Sequence, residues 1–301
     1  MKVAISGSHG FIGSALSTRL AERGDEVYRL VRRVPAQPFE IEWHPERGDV
    51  PDAVSDELAS VDVVVHLAGA GLGDRRWNSA YKAEIRNSRV QGTAAIAGAL
   101  ARYAREGRGP TVLLSGSAIG YYGDRGDEEL TEASEPGTGF LADVVIDWEA
   151  KTSVASAAGV RVACLRTGLV VSPDGGAFER LVRIFRLGAG GRLGDGRQWW
   201  STISLLDHLR AVEFLLDNGS VSGPVNLVGP QPRRNAEVTR EIAEAVHRPA
   251  ALPVPGFALR AVMGEFSADV LASQRVLPAV LERSGFSWQQ PTVLEALRSS
   301  D

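Results

Sequence analysis

The sequence predicts an α/β fold: a doubly wound, mostly parallel sheet with helices on both faces, followed by a smaller appendage. Three observations predict it. The chain opens on an apolar strand, a glycine turn and an amphipathic helix within residues 2–24. Apolar strands and helices then alternate as far as residue 172. That rhythm demands parallel strands joined by helical crossovers. Beyond Pro173 it gives way to helices, glycine and proline breaks and a tryptophan pair.

Each element follows in turn. Val3 to Ser6 read as a buried strand, and Gly7, Gly10 and Gly13 follow at three-residue spacing. Phe11, Ile12, Ala15, Leu16 and Leu20 fall at helical spacing, and Gly24 stands where a helix would stop. Glycines there let the backbone approach a pyrophosphate closely, and a helix N-terminus offers it free N–H groups. The spacing is G-x-x-G-x-x-G rather than the commoner G-x-G-x-x-G. Its place between a strand and a helix makes it a dinucleotide-site candidate, with Gly7, Gly10, Phe11, Ile12 and Gly13 against the ligand. The bland alternative is a glycine-rich turn without a ligand.

EVYRLVRR, 26–33, reads as the second strand. An NAD site places a carboxylate at this strand end to bind the adenosine ribose. Here Val31, Arg32 and Arg33 occupy the place. A guanidinium pairs with a 2′-phosphate that a carboxylate would repel, so the residues favour NADP(H), with Arg32 the stronger candidate. Residues 34–60 form a polar connection with one short strand candidate, FEIEW. VDVVVHLAGAG, 61–71, is an apolar strand entering a second glycine turn. Ligands of such sheets lie beyond the carboxyl ends of the strands, which places Leu67, Ala68 and Gly69 against the cofactor. His66 is expected to pack rather than to catalyse.

A long helix spans 75–107 after Asn78 or Ser79 as N-cap. TVLLSGSAIGYYGD, 111–124, is the next buried strand and its loop; 139–159 reads as one amphipathic helix and 160–172 as one further strand. GGAFERLVRIFRLGAGG holds a helix, GPVNLVGPQP a last sheet strand, and 233–301 helices with proline-rich breaks.

Composition sets the bounds. The 301 residues are 44% hydrophobic and 23% charged, as in an ordinary soluble globular chain. The net charge of −4 argues against nucleic-acid or membrane partners, and no apolar stretch approaches a membrane span. The chain enters a strand at once, leaving no room for a signal peptide. Cys164 is the single cysteine, set in an apolar run; no intrachain disulfide can form, which is compatible with a cytoplasmic location. Five scattered histidines without Cys/His ligand spacing argue against a metal site.

GSHGFIG, LVRR, HLAGAG, RRWN, SAIGYYGD, DWEA, RTGLVVSPDGGAF and GDGRQWWSTI occur in an order, with NLVGPQP, RPAALPVPGFALR and SQRVLPAVLERSGF after them, that runs over almost the whole chain. The sequence thereby resembles the extended, epimerase-like branch of the short-chain dehydrogenase/reductase superfamily. More narrowly it resembles its atypical nucleotide-sugar-epimerase-like group, some of whose members carry cell-division-inhibitor names. The resemblance implies a Rossmann domain over 1–172, with 201–228 returning to it, and a smaller C-terminal substrate domain over 173–200 and 229–301. Relatives carry N-V-x-G-T on the helix after the fourth strand. Here SRVQGT puts Arg89 in the place of the cofactor-lining asparagine. The resemblance implies that Glu84 and Arg89 touch the cofactor, Arg89 near its phosphates or ribose, and that Val170 approaches the nicotinamide; the alternative is a solvated surface pair.

The superfamily's usual chemistry needs Ser/Thr, with Tyr and Lys of a Y-x-x-x-K motif. The tyrosine is the acid/base and the lysine lowers its pKa. Leu141 and Val145 stand in those places. Ser117 matches the catalytic-serine region, and Tyr121 or Tyr122 can donate a hydrogen bond to a substrate carbonyl, or else pack in the cleft. Arg197, Gln198, Trp199 and Trp200 form a candidate loop for a sugar- or nucleotide-like substrate, or pack the seam between domains. Two functions compete: an NADP(H)-binding epimerase-like oxidoreductase acting on a small polar substrate, and a non-catalytic NADP(H)-sensing or protein-interaction module. The sequence leaves the oligomeric state open.

Overall fold

A computed structural model describes residues 1–47 and 56–298. Its centre is a seven-stranded sheet formed by β1 (Lys2–Ser6), β2 (Glu26–Val31), β3 (Glu40–Glu42), β4 (Val63–His66), β5 (Val112–Ala118), β7 (Arg161–Thr167) and β11 (Gly223–Leu227). Between β5 and β7 lies the short β6 (Glu129–Leu130). The sheet order is β11-β7-β5-β4-β1-β2-β3 and every pairing is parallel. The order reverses at β1, so the crevice beyond β1 and β4 is where such a sheet takes a ligand.

The period of two along a strand distributes its side chains. Val3 and Ile5 pack with Leu16 and Leu20 of α1 (Phe11–Glu22), and with Val212 and Leu215 of α6 (Leu205–Asp217). Ala4 faces the other side, where Ile96, Leu100 and Tyr103 of α2 (Ser79–Arg105) cover it. Asn78 caps α2, its side chain accepting from Tyr81 N at 2.8 Å. A separate cluster, which includes Phe178, Val182, Trp200, Val238 and Ile242, holds the C-terminal part together.

Two expected elements are divided. The helix expected over 139–159 is α3 (Phe140–Ala150) followed by α4 (Ser153–Ala157). The Thr152 and Ser153 hydroxyls turn back onto the carbonyls of Glu149 and Ala150, an alternative to continuing the helix. The strand expected over 160–172 is β7 followed by β8 (Leu169–Val171). Gly168 separates them: a Cβ there would stand 2.5 Å from Ser201 O and 2.7 Å from Val228 Cγ1. At that point the chain leaves the central sheet, and β8 pairs instead with β10 (Thr202–Ser204). Among the described residues no helix is long and apolar enough to cross a membrane, and no cluster of His, Cys, Asp and Glu is set to hold a metal. Cys164 is buried.

Candidate functional site

The glycine turn is built without spare room. Gly7 has φ +70°, and a Cβ on it would stand 2.9 Å from Ala68 N and from Leu67 C. A Cβ on Gly13 would stand 2.2 Å from Gly7 O. Helix α1 is thus pressed onto the turn, and the turn onto the exit of β4. The N-cap of α1 is Gly10, with no side-chain cap and no acidic residue in the first turn. Its first N–H groups are left to an anion. Phe11 lies against Gly175 and Gly176, its ring 2.2 Å from where a Cβ on Gly175 would lie; Ile12 packs on the core.

Ser6 ties β1 to the exit of β4. Its Oγ accepts from Leu67 N at 3.1 Å and Ala68 N at 3.2 Å, and shares a hydrogen bond with His66 Nδ1 at 2.6 Å. His66 is fully buried against Trp43, as expected of a packing histidine. Gly92 of the VQGT stretch makes room for it, its Cβ position lying 3.2 Å from His66 Cε1. The loop after Gly69 is held by α2: Ser88 Oγ accepts from Ala70 N, and Tyr81 OH donates to Gly71 O.

Arg89 lies across Gly69, its Cζ 3.2 Å from the Cβ position of that glycine and 5.3 Å from the Trp148 ring. Its one described hydrogen bond runs to Ile85 O of its own helix, at 3.0 Å. Among the described residues it has no carboxylate partner, and burial pushes its guanidinium down to about 10. Glu84 does not share this groove: it is exposed and pairs with Arg75 at 3.4 Å.

The two arginines after β2 part company. Arg33 is committed to Glu40, through bonds of 2.6 and 2.8 Å. Glu40 also accepts from the amides of Ala36 and Gln37, and the Arg33 bonds first, with these amides, hold its carboxyl down at about 2. Arg32 is exposed and unpaired among the described residues. Val31 is buried, and Val170 is half-buried beside Ile203.

Around Ser117 stands a network that motif reading missed. Ser117, at the carboxyl end of β5, donates to Glu149 Oε1 at 2.5 Å. Arg166 of β7 grips the same carboxylate through Nε and Nη2, both at 2.8 Å. It also donates to Tyr122 OH at 3.0 Å, and that phenol donates to Asn226 Oδ1 at 2.8 Å. Tyr122 is fully buried with both sides of its hydroxyl taken, and burial pushes it up to about 12. That geometry gives it a holding role and leaves no side of the phenol for a substrate. Tyr121 lies half-buried under the Arg166 guanidinium, 3.5 Å from Cζ to ring centre; its hydroxyl makes no bond among the described residues. The signal that could have found the network is Arg166 itself, a charge inside an apolar strand run, since a buried charge demands a partner.

The loop at 197–200 does not gather as one surface. Trp200 packs on Phe178 in the C-terminal core, and buried Gln198 donates to Leu193 O. Trp199 sits between Arg234 and Arg275, at 4.0 and 4.8 Å, with Nε1 donating to Asp127. Arg197 is exposed. Leu141 packs beside Gly120 and Val145 is buried, so the places of the usual tyrosine and lysine are apolar in space as in sequence.

Two buried histidines make stability depend on pH. Burial pushes His66 down to about 3 and His208 to about 4. Each is neutral when folded, and unfolded it takes up a proton below about 6.5. Their contribution is therefore full above that value and is lost as pH falls toward the folded values. Asp269, raised to about 6 by burial and then by Glu265, works in the opposite sense below 6. The two histidines outweigh the one carboxyl, so stability falls on going from pH 6 to 4, and Glu40, held low by its partners when folded, adds to the loss toward the lower end. Urea unfolding across that range should show this loss, and His208→Asn should make it smaller.

Comparison with known proteins agrees with this geometry. The model of the NAD dependent epimerase/dehydratase family matches residues 3–229, and a domain of unknown function (DUF1731) matches 254–300. An epimerase family protein of Mycobacterium bovis is 44% identical over 297 residues, covering 98% of this chain and 96% of its own. Human epimerase family protein SDR39U1 (isoform 2), solved with NADPH, superposes with a TM-score of 0.88 at 30% identity, covering 99% of this chain and 98% of its own. A nucleoside-diphosphate sugar epimerase from Corynebacterium glutamicum gives 0.80 at 38% identity, with 99% of this chain matching 57% of that one. A reversing parallel sheet, an uncapped glycine turn at its switch point and a match over three quarters of the sequence lead to one assignment: the chain belongs to the NAD dependent epimerase/dehydratase family and carries its nicotinamide-cofactor fold together with a C-terminal extra domain.

Proposed function

We propose that the protein is an NADP(H)-binding, epimerase-like oxidoreductase acting on a small polar substrate. The observation that carries the reading is Arg89: a half-buried guanidinium, without a carboxylate partner among the described residues, laid over Gly69 beside the glycine turn. A half-buried cation calls for an anion, and a dinucleotide phosphate is the anion that fits here. The uncapped N-terminus of α1 supplies N–H groups to the same ligand, and Gly7 and Gly13 let the turn, α1 and the exit of β4 pack closely enough to present them. Arg32 reaches the 2′-phosphate, whereas Arg33 is spent on Glu40. A nicotinamide bound there supplies a hydride donor or acceptor. Ser117 and the free Tyr121 hydroxyl face the substrate oxygen, which a sugar- or nucleotide-like molecule offers.

The test is a fluorescence titration with NADPH and NADH. NADPH should bind more tightly. Arg32→Asp should weaken it by about 10- to 100-fold, the worth of charge-assisted bonds to the phosphate, while Arg33→Ala leaves the preference in place. Equal affinities of the unaltered protein for both cofactors would overturn the role of Arg32. A second reading, cofactor sensing without turnover, draws on the apolar Leu141 and Val145. It predicts tight NADPH binding with no cofactor oxidation against pooled carbonyl and sugar-nucleotide metabolites.

A further inference from the structure

We propose that Glu149 takes up the substrate's hydroxyl proton through Ser117, in place of the absent tyrosine–lysine pair; the inference rests on a nicotinamide lying beyond the carboxyl ends of β4 and β5. Ser117 sits at that end of β5, in register with Arg166 of β7. Its own proton is committed to Glu149 at 2.5 Å. A serine so committed presents lone pairs only, and therefore accepts from an O–H group rather than donating to a carbonyl. Glu149 cannot swing away, because Arg166 holds both of its oxygens. Arg166 is fixed in turn by Tyr122 and by the ring of Tyr121. Arg166 has 4% of its side chain exposed but Glu149 keeps 16%, an edge by which a proton can leave to water.

The step balances as an alcohol oxidation. The substrate O–H bond breaks, its proton passing to Ser117 Oγ as the serine's proton passes to Glu149. The electrons of that O–H bond form the carbonyl. The substrate C–H bond breaks and its electron pair leaves as hydride to NADP+, the two-electron oxidant. Carbonyl reduction by NADPH runs the same path backwards. Ser117 touches the substrate, while Glu149 acts through it.

The relay can be read without knowing the substrate. NADP+-loaded protein is mixed with hydroxylamine or with sulfite, and addition at the nicotinamide C4 is followed by its near-ultraviolet absorbance. Hydroxylamine must lose a proton to form its product, whereas sulfite adds without losing one. Hydroxylamine addition should be faster than with free NADP+, and Ser117→Ala and Glu149→Gln should each slow it by about 100-fold, the usual worth of a general base. Sulfite addition and the NADP+ dissociation constant should stay unchanged. Glu149→Gln strands Arg166, so the double variant Glu149→Gln/Arg166→Met is measured beside it and should show the same split. Equal slowing of both nucleophiles, or sulfite addition without any acceleration of hydroxylamine, overturns the relay. Failure of the unaltered protein to bind NADP+ overturns the cofactor reading beneath it, and the relay with it.

Discussion

Gly13→Ala should weaken dinucleotide binding by at least about 100-fold and destabilise the chain by about 3 kcal/mol, the upper range for an overpacked site. The added methyl would lie 2.2 Å from Gly7 O and 2.8 Å from Gly7 C, and neither is the yielding end of a side chain. Relief requires α1 to move off the turn, which carries its free N–H groups away from the ligand. Isothermal titration with NADPH should show affinity reduced by at least about 100-fold, or close to 3 kcal/mol. Gly98→Ala is the control. It lies in α2, a Cβ there meets nothing within 4 Å, and alanine should raise stability by about 1 kcal/mol. Undiminished binding by Gly13→Ala would show that the turn is not the cofactor cradle.

Arg166→Met should cost about 3–5 kcal/mol, the penalty for removing one partner of a buried ion pair. Glu149 would keep a charge with only Ser117 to answer it, and Tyr122 would lose its donor. Replacing both partners removes the stranded charge, so Glu149→Gln/Arg166→Met should recover most of that stability. Lysine at 166 should not substitute, because the carboxylate is held by two parallel N–H bonds and an ammonium offers no such fork. Urea unfolding of the two single variants and the double variant gives the coupling energy. A coupling near zero would show that the pair holds nothing.

What was legible in the sequence was local or periodic. The glycine turn, the Asn78 cap and the strand–helix rhythm each involve residues within a few positions of one another, and the structure has them. The break at Thr152 was hidden because the hydroxyl that turns back there looks, in sequence, like one more polar residue on a helix face. The switch of sheets at Gly168 needs Ser201 and Val228, more than 30 residues away, to be visible. In sequence Arg32 is favoured over Arg33 only for its nearness to the strand end; in space Glu40 separates them by occupying Arg33. Glu149 and Arg166 are 17 positions apart on a helix and a strand, so no spacing rule joins them. Trp200 invited a reading as a substrate platform because an aromatic looks the same whether it faces a ligand or Phe178.

The place of β11 bears on how the chain is made. It covers β7, yet it is encoded after the excursion through β8, α5 (Gly176–Arg186) and α6. A ribosome adding about 5–20 residues per second needs several seconds to pass from Thr167 to Gly223. Over that interval β7 is the outermost strand of the nascent sheet, with its backbone N–H and C=O groups unpaired on one side. Its sequence there, VACL, is apolar and uncharged, the composition that recruits a neighbouring chain. Slow synthesis through residues 168–222 should therefore promote inclusion bodies, and a chaperone that shields strand edges should relieve them.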